Sequence, residues 1–278
     1  MTDDLFTLAR GDAPLLVSIP HLGTWLPDEC RAGMTDAALL LQDTDWHLDR
    51  LYAFAAGLGA TVLGARVSRY VIDLNRPPDG RSLYPGQTTT GLCPTETFRG
   101  EPLHRPGHEP DEAERARRLD RYWKPYHDTL AAELERLRAR HGAVVLWEAH
   151  SIAGTLPRLF EGKLPDLNFG TNAGRSCDPA LVERIASLAD GAPFTHVVDG
   201  RFKGGYITRE YGQPARGVHG IQLEMCQSLY MDEAPPFGWR EDRARAVRPL
   251  LRAMLLAARQ GALRASSRSG SGSTEGNP

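Results

Sequence analysis

The apolar positions of this chain fall into short runs separated by amphipathic stretches. Runs at 14–19, 60–65, 69–73, 143–147, 166–169, 194–198 and 220–225 are rich in β-branched or aliphatic residues and read as strands. Between the first two, 44–58 places Trp46, Leu51, Phe54, Ala55 and Leu58 on one helical face. A longer helical pattern covers 110–140. Its acidic start at Asp111, Glu112 and Glu114 suits a positive helix N-terminus, and Pro125 predicts a kink or a split. A third helix, 179–188, follows Asp178 as N-cap with Pro179 at its first position. The last, 241–259, carries Val247, Leu250, Leu251, Met254 and Leu255 as its apolar stripe.

Strands alternating with helices predict an α/β fold built on a largely parallel or mixed sheet. Residues 75–107 break the rhythm, being rich in Pro, Gly and Thr without a period. A loop of that length inside a compact domain is usually functional. From Ser266 the chain is low-complexity, which predicts a single domain over 1–265 and a disordered tail over 266–278.

Composition narrows the function classes. With 33 basic against 35 acidic residues, there is no broad field for nucleic acid or a membrane surface, so positive potential must sit at individual arginines. Cys30, Cys93, Cys177 and Cys226 form no CxxC pair, which disfavours a structural zinc knot. The acidic start Met1-Thr-Asp-Asp4 leads into no long apolar core, and no run approaches the ~18 apolar residues of a spanning helix. A cytoplasmic protein with reduced thiols is the expectation.

Two apolar runs each deliver a histidine, Leu15-Leu-Val-Ser-Ile-Pro-His21 and Leu146-Trp-Glu-Ala-His-Ser151. Ligands and catalytic groups collect at the carboxyl ends of strands in α/β sheets, and two such histidines suggest a metal site. A third ligand is available in Asp43-Thr-Asp-Trp-His-Leu-Asp49, where Asp45 leads and His47 and Asp49 compete; the bland alternative is helix capping by Asp43 or Thr44. Glu148 shares a strand face with His150, so it is a ligand, a hydrogen-bonding support or half of a buried salt bridge. Glu224 shares a face with Gln222 near the end of the 220–225 strand, a placement that suits a general base as well as a structural partner. In Arg69-Tyr-Val-Ile-Asp-Leu-Asn-Arg76, Asn75 and Arg76 offer an amide and a planar fork to a carboxylate, or Asp73 simply anchors the loop. The segment Gly200-Arg-Phe-Lys-Gly-Gly-Tyr-Ile-Thr-Arg209 could clamp an anion or form a solvated turn. No GxSxG elbow is present to support a serine hydrolase.

In order along residues 14 to 255, Ser18-Ile-Pro-His21, Asp45-Trp46 with Asp49-Arg-Leu-Tyr52, Ser68 through Arg76, Glu148-Ala-His-Ser151 and Gln222-Leu-Glu224 resemble the N-formylglutamate amidohydrolase family. The Asp-Leu-Asn-Arg and Gly-Gly-Tyr-Ile-Thr-Arg runs are its most specific parts. The resemblance implies a three-layer α/β/α fold with a central mixed sheet, similar to zinc carboxypeptidases and aspartoacylases. It implies hydrolysis of N-formyl-L-glutamate to formate and L-glutamate, a step of histidine degradation. It also implies zinc on His21, Asp45 and His150, substrate binding by Asn75 and Arg76, and Glu224 as base. Position 24 is Thr24 where the wider group has the Glu of His-x-x-Glu, so Asp45 is inferred rather than matched.

On this reading Arg69 stabilises the oxyanion, and Arg209 with Tyr206 and Thr208 receives the second carboxylate of a small dicarboxylate substrate. A His₂-carboxylate shell suits zinc and also accepts manganese, iron or cobalt. The rivals are a zinc amidase or peptidase for another N-acyl amino acid, and a non-catalytic metal- or anion-binding protein of the same fold.

Overall fold

The computed structural model describes residues 5–84 and 86–270. In chain order its elements are β1 (Phe6–Ala9), β2 (Leu15–Ile19), α1 (Asp28–Arg31), α2 (Asp36–Leu39), α3 (Leu48–Leu51), β3 (Thr61–Ala65), α4 (Glu112–Arg118), α5 (Lys124–His141), β4 (Val144–Ile152), β5 (Leu167–Gly170), α6 (Pro179–Ala186), β6 (His196–Val198), α7 (Tyr206–Tyr211), β7 (Val218–Cys226) and α8 (Glu241–Gly270). The strands form one seven-stranded mixed sheet in the order β1-β3-β2-β4-β7-β5-β6. β3, β2, β4 and β7 run parallel, whereas β1 and β5 pair antiparallel with β3 and β7.

The alternation of side chains along each strand divides the apolar residues between two helical layers. Leu15, Val17, Ile19, Val145, Trp147, Ile221 and Leu223 pack with Leu48 and Leu51 of α3, Ile185 of α6 and Leu251, Met254 and Leu255 of α8. Leu16, Leu63, Val144 and Leu146 face the other way, onto Tyr126, Leu130, Leu134 and Leu137 of α5. The predicted three-layer arrangement is therefore present. β4 is buried at every position because a helix layer covers each of its faces.

The connection from β2 leads to β3 on one side, and the chain then crosses back to β4 on the other. The carboxyl ends of β2 and β4 thus flank a topological switch point, where open α/β sheets form their crevice.

Several local expectations change. β4 runs through Ile152 rather than stopping at Trp147, so His150 lies within the strand, paired with Glu224 of β7. The 69–73 run is a turn, not a strand. The Val71 N–H donates to the Ser68 carbonyl (2.9 Å), the Tyr70 N–H to Ser68 Oγ (3.2 Å), and Arg118 Nη1 caps the Val71 carbonyl (2.9 Å). Val71, Ile72 and Leu74 are all buried, without the alternation of an open strand face.

The 44–58 helix is broken. His47 adopts φ 62°, only one turn of α-helix follows, and 53–58 is 3₁₀. The Asp45 N–H is held instead by the His21 carbonyl (3.0 Å). The 110–140 helix contains a π turn at Leu119–Trp123, immediately before the predicted break at Pro125. Asp178 caps α6 as expected, through Oδ1 and the Ala180 N–H (2.8 Å). β1 had no counterpart in the pattern, and α8 continues to Gly270, into the segment read as tail; residues 271–278 lie outside the described residues.

Among the described residues no helix is long and apolar enough to cross a membrane. Leu146 is fully buried between β4 and α5. Leu146→Ala is expected to cost about 2–5 kcal/mol of stability, read as a lower denaturant midpoint with an unchanged m-value.

Candidate active site

At the switch point, His21, Asp45 and His150 bring one ligand atom each to within 4.8 Å of one another, and all three are buried. Their orientation follows from what holds the far side of each ring. His21 Nε2 lies 2.7 Å from Asp73 Oδ1 and His150 Nε2 lies 2.8 Å from Glu148 Oε1, so each ring gives its Nε2 hydrogen to a buried carboxylate. Both Nδ1 atoms then face Asp45 Oδ2, at 3.8 Å from His21 and 3.1 Å from His150. Of the alternatives for a third ligand, His47 bonds the Phe237 carbonyl (2.8 Å) and Asp49 is exposed. Glu148 stands behind His150 rather than beside its Nδ1.

The electrostatics of the two imidazoles differ. Burial, aided by the Arg69 guanidinium 3.2 Å from Nδ1, pushes the His21 pKa down and keeps the ring neutral, against the pull of Asp73. Burial acts the same way on His150, but Glu148 and Asp45 more than reverse it and raise its pKa well above the ordinary value. Burial would raise the Asp73 pKa; His21 and Arg69, the latter with Nη2 2.8 Å from Oδ2, instead hold it well below the usual carboxylate range. Glu224 goes the other way. Burial, reinforced by Asp45 and Glu148, raises its pKa well above the usual range despite the opposing charges of His150 and Arg69.

His21, Arg69, Asn75, Arg76, His150 and Glu224 line one cavity. Gln222 orients Glu224: its Oε1 accepts the Gly205 N–H (2.7 Å), which leaves Nε2 to donate to Glu224 Oε2 (3.4 Å). Asn75 is clamped by α7, its Oδ1 accepting from the Ile207 N–H (2.9 Å) and its main-chain carbonyl from the Tyr206 N–H (3.2 Å). Gly205 is required for that contact, because a Cβ there would meet the Asn75 amide nitrogen at 2.3 Å. Arg76 donates to Thr90, from Nε to the carbonyl (2.9 Å) and from Nη2 to Oγ1 (3.2 Å), and its side chain is largely enclosed.

Tyr206, Thr208 and Arg209 stand behind the cavity wall. Tyr206 packs against Trp123 and His127, and Thr208 Oγ1 donates to Glu148 Oε2. Arg209 donates to the carbonyls of Gly204 (2.8 Å) and Leu83 (3.1 Å). The cavity wall instead carries Arg201, whose only sequence signal was a cation in a glycine-rich segment. Asp73, first read as a loop anchor, also fixes the His21 ring, and only the spatial approach of two distant segments could reveal that.

The profile of the N-formylglutamate amidohydrolase family matches residues 13–231. The N-formylglutamate deformylase of Pseudomonas aeruginosa is 52% identical over 91% of this chain and 95% of its own length, and that of Pseudomonas putida is 50% identical over 92% and 96%. The crystal structure of N-formylglutamate amidohydrolase from Ralstonia eutropha superposes with a TM-score of 0.77 at 27% identity, covering 96% of this chain and 99% of that one. A gene product of Agrobacterium tumefaciens shares the fold at 19% identity, with a TM-score of 0.71 over 93% and 96% of the two chains. Matched by the family profile over most of its length and by two such relatives over more than nine-tenths of it, the chain belongs to the N-formylglutamate amidohydrolase family.

Proposed function

We propose that this chain hydrolyses N-formyl-L-glutamate to formate and L-glutamate, with a divalent cation, zinc foremost, held by His21 Nδ1, Asp45 and His150 Nδ1. The observation that carries the reading is the pair of inward Nδ1 atoms, each imidazole fixed from behind by a carboxylate, facing a third oxygen donor beside Glu224. Such carboxylate–histidine pairs are the usual support of metal-ligating imidazoles. The neutral state of His21 fits a ligand, since a coordinating imidazole must offer a lone pair. A bound cation would supply Lewis acidity, lowering the pKa of water toward ~7 and polarising the formyl oxygen.

The chain's own residues do the rest. Glu224, held by Gln222 at the cavity wall, accepts the proton of the attacking water as it adds to the formyl carbon. Its raised proton affinity suits it to keep that proton and deliver it to the amide nitrogen as the C–N bond breaks, since the amine must leave protonated. Arg69, fixed by Asp73 and lying over the Phe98 ring, offers its guanidinium to the oxygen that gains charge in the tetrahedral state. The Asn75 amide, 3.0 Å from His150 Nε2, and its chain neighbour Arg76 receive the α-carboxylate. Tyr206, Thr208 and Arg209 serve by bracing Asn75, Glu148 and Gly204. A cytoplasmic setting suits the cysteines, all four of which are free and buried.

The direct test is formate release from N-formyl-L-glutamate, abolished by chelation and restored by zinc. Because His150 holds a proton strongly without a cation, uptake of the cation displaces it, so affinity is expected to fall as pH is lowered. Titration with zinc in a weakly buffered indicator dye should register the released proton, and pH-independent affinity contradicts the assigned shell.

Glu224→Gln should lower kcat by about 10²–10⁴-fold with the metal content intact; turnover at the wild-type rate rules Glu224 out as the base. Gly205→Ala, which displaces the Asn75 amide, should cost about 10²-fold in kcat/KM with the metal retained. Wild-type kinetics in that variant would show that Asn75 needs no such placement.

A further inference from the structure

We infer that Arg201 receives the side-chain carboxylate of the substrate and sets the preference for an acidic N-formyl amino acid. The inference deepens the deformylase reading and rests on it. Arg201 follows β6 and reaches the cavity wall, its guanidinium carbon 5.4 Å from the Phe202 ring centre and 5.8 Å from that of Tyr84. Nε and Nη2 each lie 3.3 Å from the Leu159 carbonyl, and Nη2 lies 3.5 Å from that of Thr88. Two segments distant in sequence, one carrying Tyr84 and Thr88 and the other Leu159, thus converge on one guanidinium.

What Arg201 lacks is a counter-ion. Arg69 and Arg76 approach Asp73 at 2.8 and 3.9 Å and Arg118 pairs with Glu114, whereas no carboxylate among the described residues lies within ion-pair distance of Arg201. Burial lowers its pKa; Tyr84 opposes the shift and the nearby charge of Arg76 adds to it. A half-buried cation facing a like charge across a cavity is unfavourable when the cavity is empty of anions. A dicarboxylate bound between Arg76 and Arg201 relieves both charges at once.

Geometry divides the two carboxylates. Asn75 Nδ2 lies 3.0 Å from His150 Nε2 and Arg76 follows it in the chain, so this pair is assigned the end of the substrate that carries the scissile bond, and Arg201 the far end. The receptor is also ordered before the substrate arrives. Arg209 lies over the other residue of this wall, Tyr84, at 4.8 Å, and the Tyr84 hydroxyl donates to the Gly204 carbonyl (2.9 Å) while accepting the Lys203 N–H (3.1 Å). A guanidinium already held by carbonyls and rings loses little freedom on binding.

The test compares wild type with Arg201→Met, which keeps the apolar stem, and Arg201→Lys, which keeps the charge without the fork. Each is assayed on N-formyl-L-glutamate and on N-formyl-L-glutamine, its isostere with an uncharged side chain, and titrated calorimetrically with glutarate. Arg201→Met is expected to raise KM for N-formyl-L-glutamate about 10–30-fold, with kcat within about threefold, and to collapse the preference over the glutamine analogue. Glutarate binding should weaken about as much, with Arg201→Lys between the two. An Arg201→Met protein that keeps both the substrate preference and the glutarate affinity overturns the inference. If wild type binds glutarate but releases no formate from either compound, the deformylase reading fails, and weakened glutarate binding by the variant still identifies Arg201 as the receptor.

Discussion

Both histidines at the switch point surrender their Nε2 hydrogen to a buried carboxylate, and the rest of the site depends on that constraint. An imidazole pinned at one nitrogen has its other lone pair aimed, so Asp73 and Glu148 decide where His21 and His150 point. Each carboxylate is secured in turn. Asp73 accepts from Arg69 and from the Asn75 N–H, and Glu148 from the Thr208 hydroxyl. The Asp73 that fixes one imidazole is thereby tied to the chain that presents Asn75 and Arg76, so the proposed cation shell and the proposed carboxylate receptor share one hydrogen-bonded frame.

That frame explains why 68–76 is irregular. A strand would send Arg69 and Asp73 to one face and spend their backbone on a ladder. Instead the chain turns back so that both side chains meet His21, while Val71, Ile72 and Leu74 remain in the core. The freed carbonyls are taken by the second helical layer: Arg118 caps Val71, His127 Nε2 donates to Leu74 (2.8 Å) and Trp123 Nε1 to Arg76 (3.0 Å). Trp123 closes the π turn that precedes Pro125. An interruption of the long helix thus coincides with the residue that steadies the turn carrying Asn75 and Arg76.

The same comparison shows what a sequence reveals. β2 was visible because burial between two layers demands a near-continuous apolar run, β7 because its apolar residues alternate with the polar face of Gln222 and Glu224, and His21 and His150 stood out because both follow apolar runs. β4 was seen only as far as Trp147, since Glu148, His150 and Ser151 interrupt its apolar pattern from there on. The 69–73 segment has the composition of a strand, and only tertiary partners for its carbonyls decide against one. Arg201 and Arg209 are indistinguishable as two cations in a glycine-rich stretch. The roles assigned to them diverge because one meets a cavity and the other meets the carbonyls of Gly204 and Leu83.

The charge balance around the two histidines argues for a cation on grounds separate from ligand geometry. Asp43, Asp45, Asp73, Glu148 and Glu224 are all buried here, with Arg69 as the buried permanent cation among them. Enclosed carboxylates are costly unless each is matched. The protein meets that cost with protons, which is why Asp43, Glu224 and His150 all bind them more tightly than usual, burial being the main cause for the two acids and the Glu148 and Asp45 charges for His150. A divalent cation between His21, Asp45 and His150 would replace the proton on His150 and favour an ionised Glu224. The shortage of positive charge around the two histidines is thus of the sign that the proposed hydrolysis requires, since its base must be a carboxylate when the water arrives.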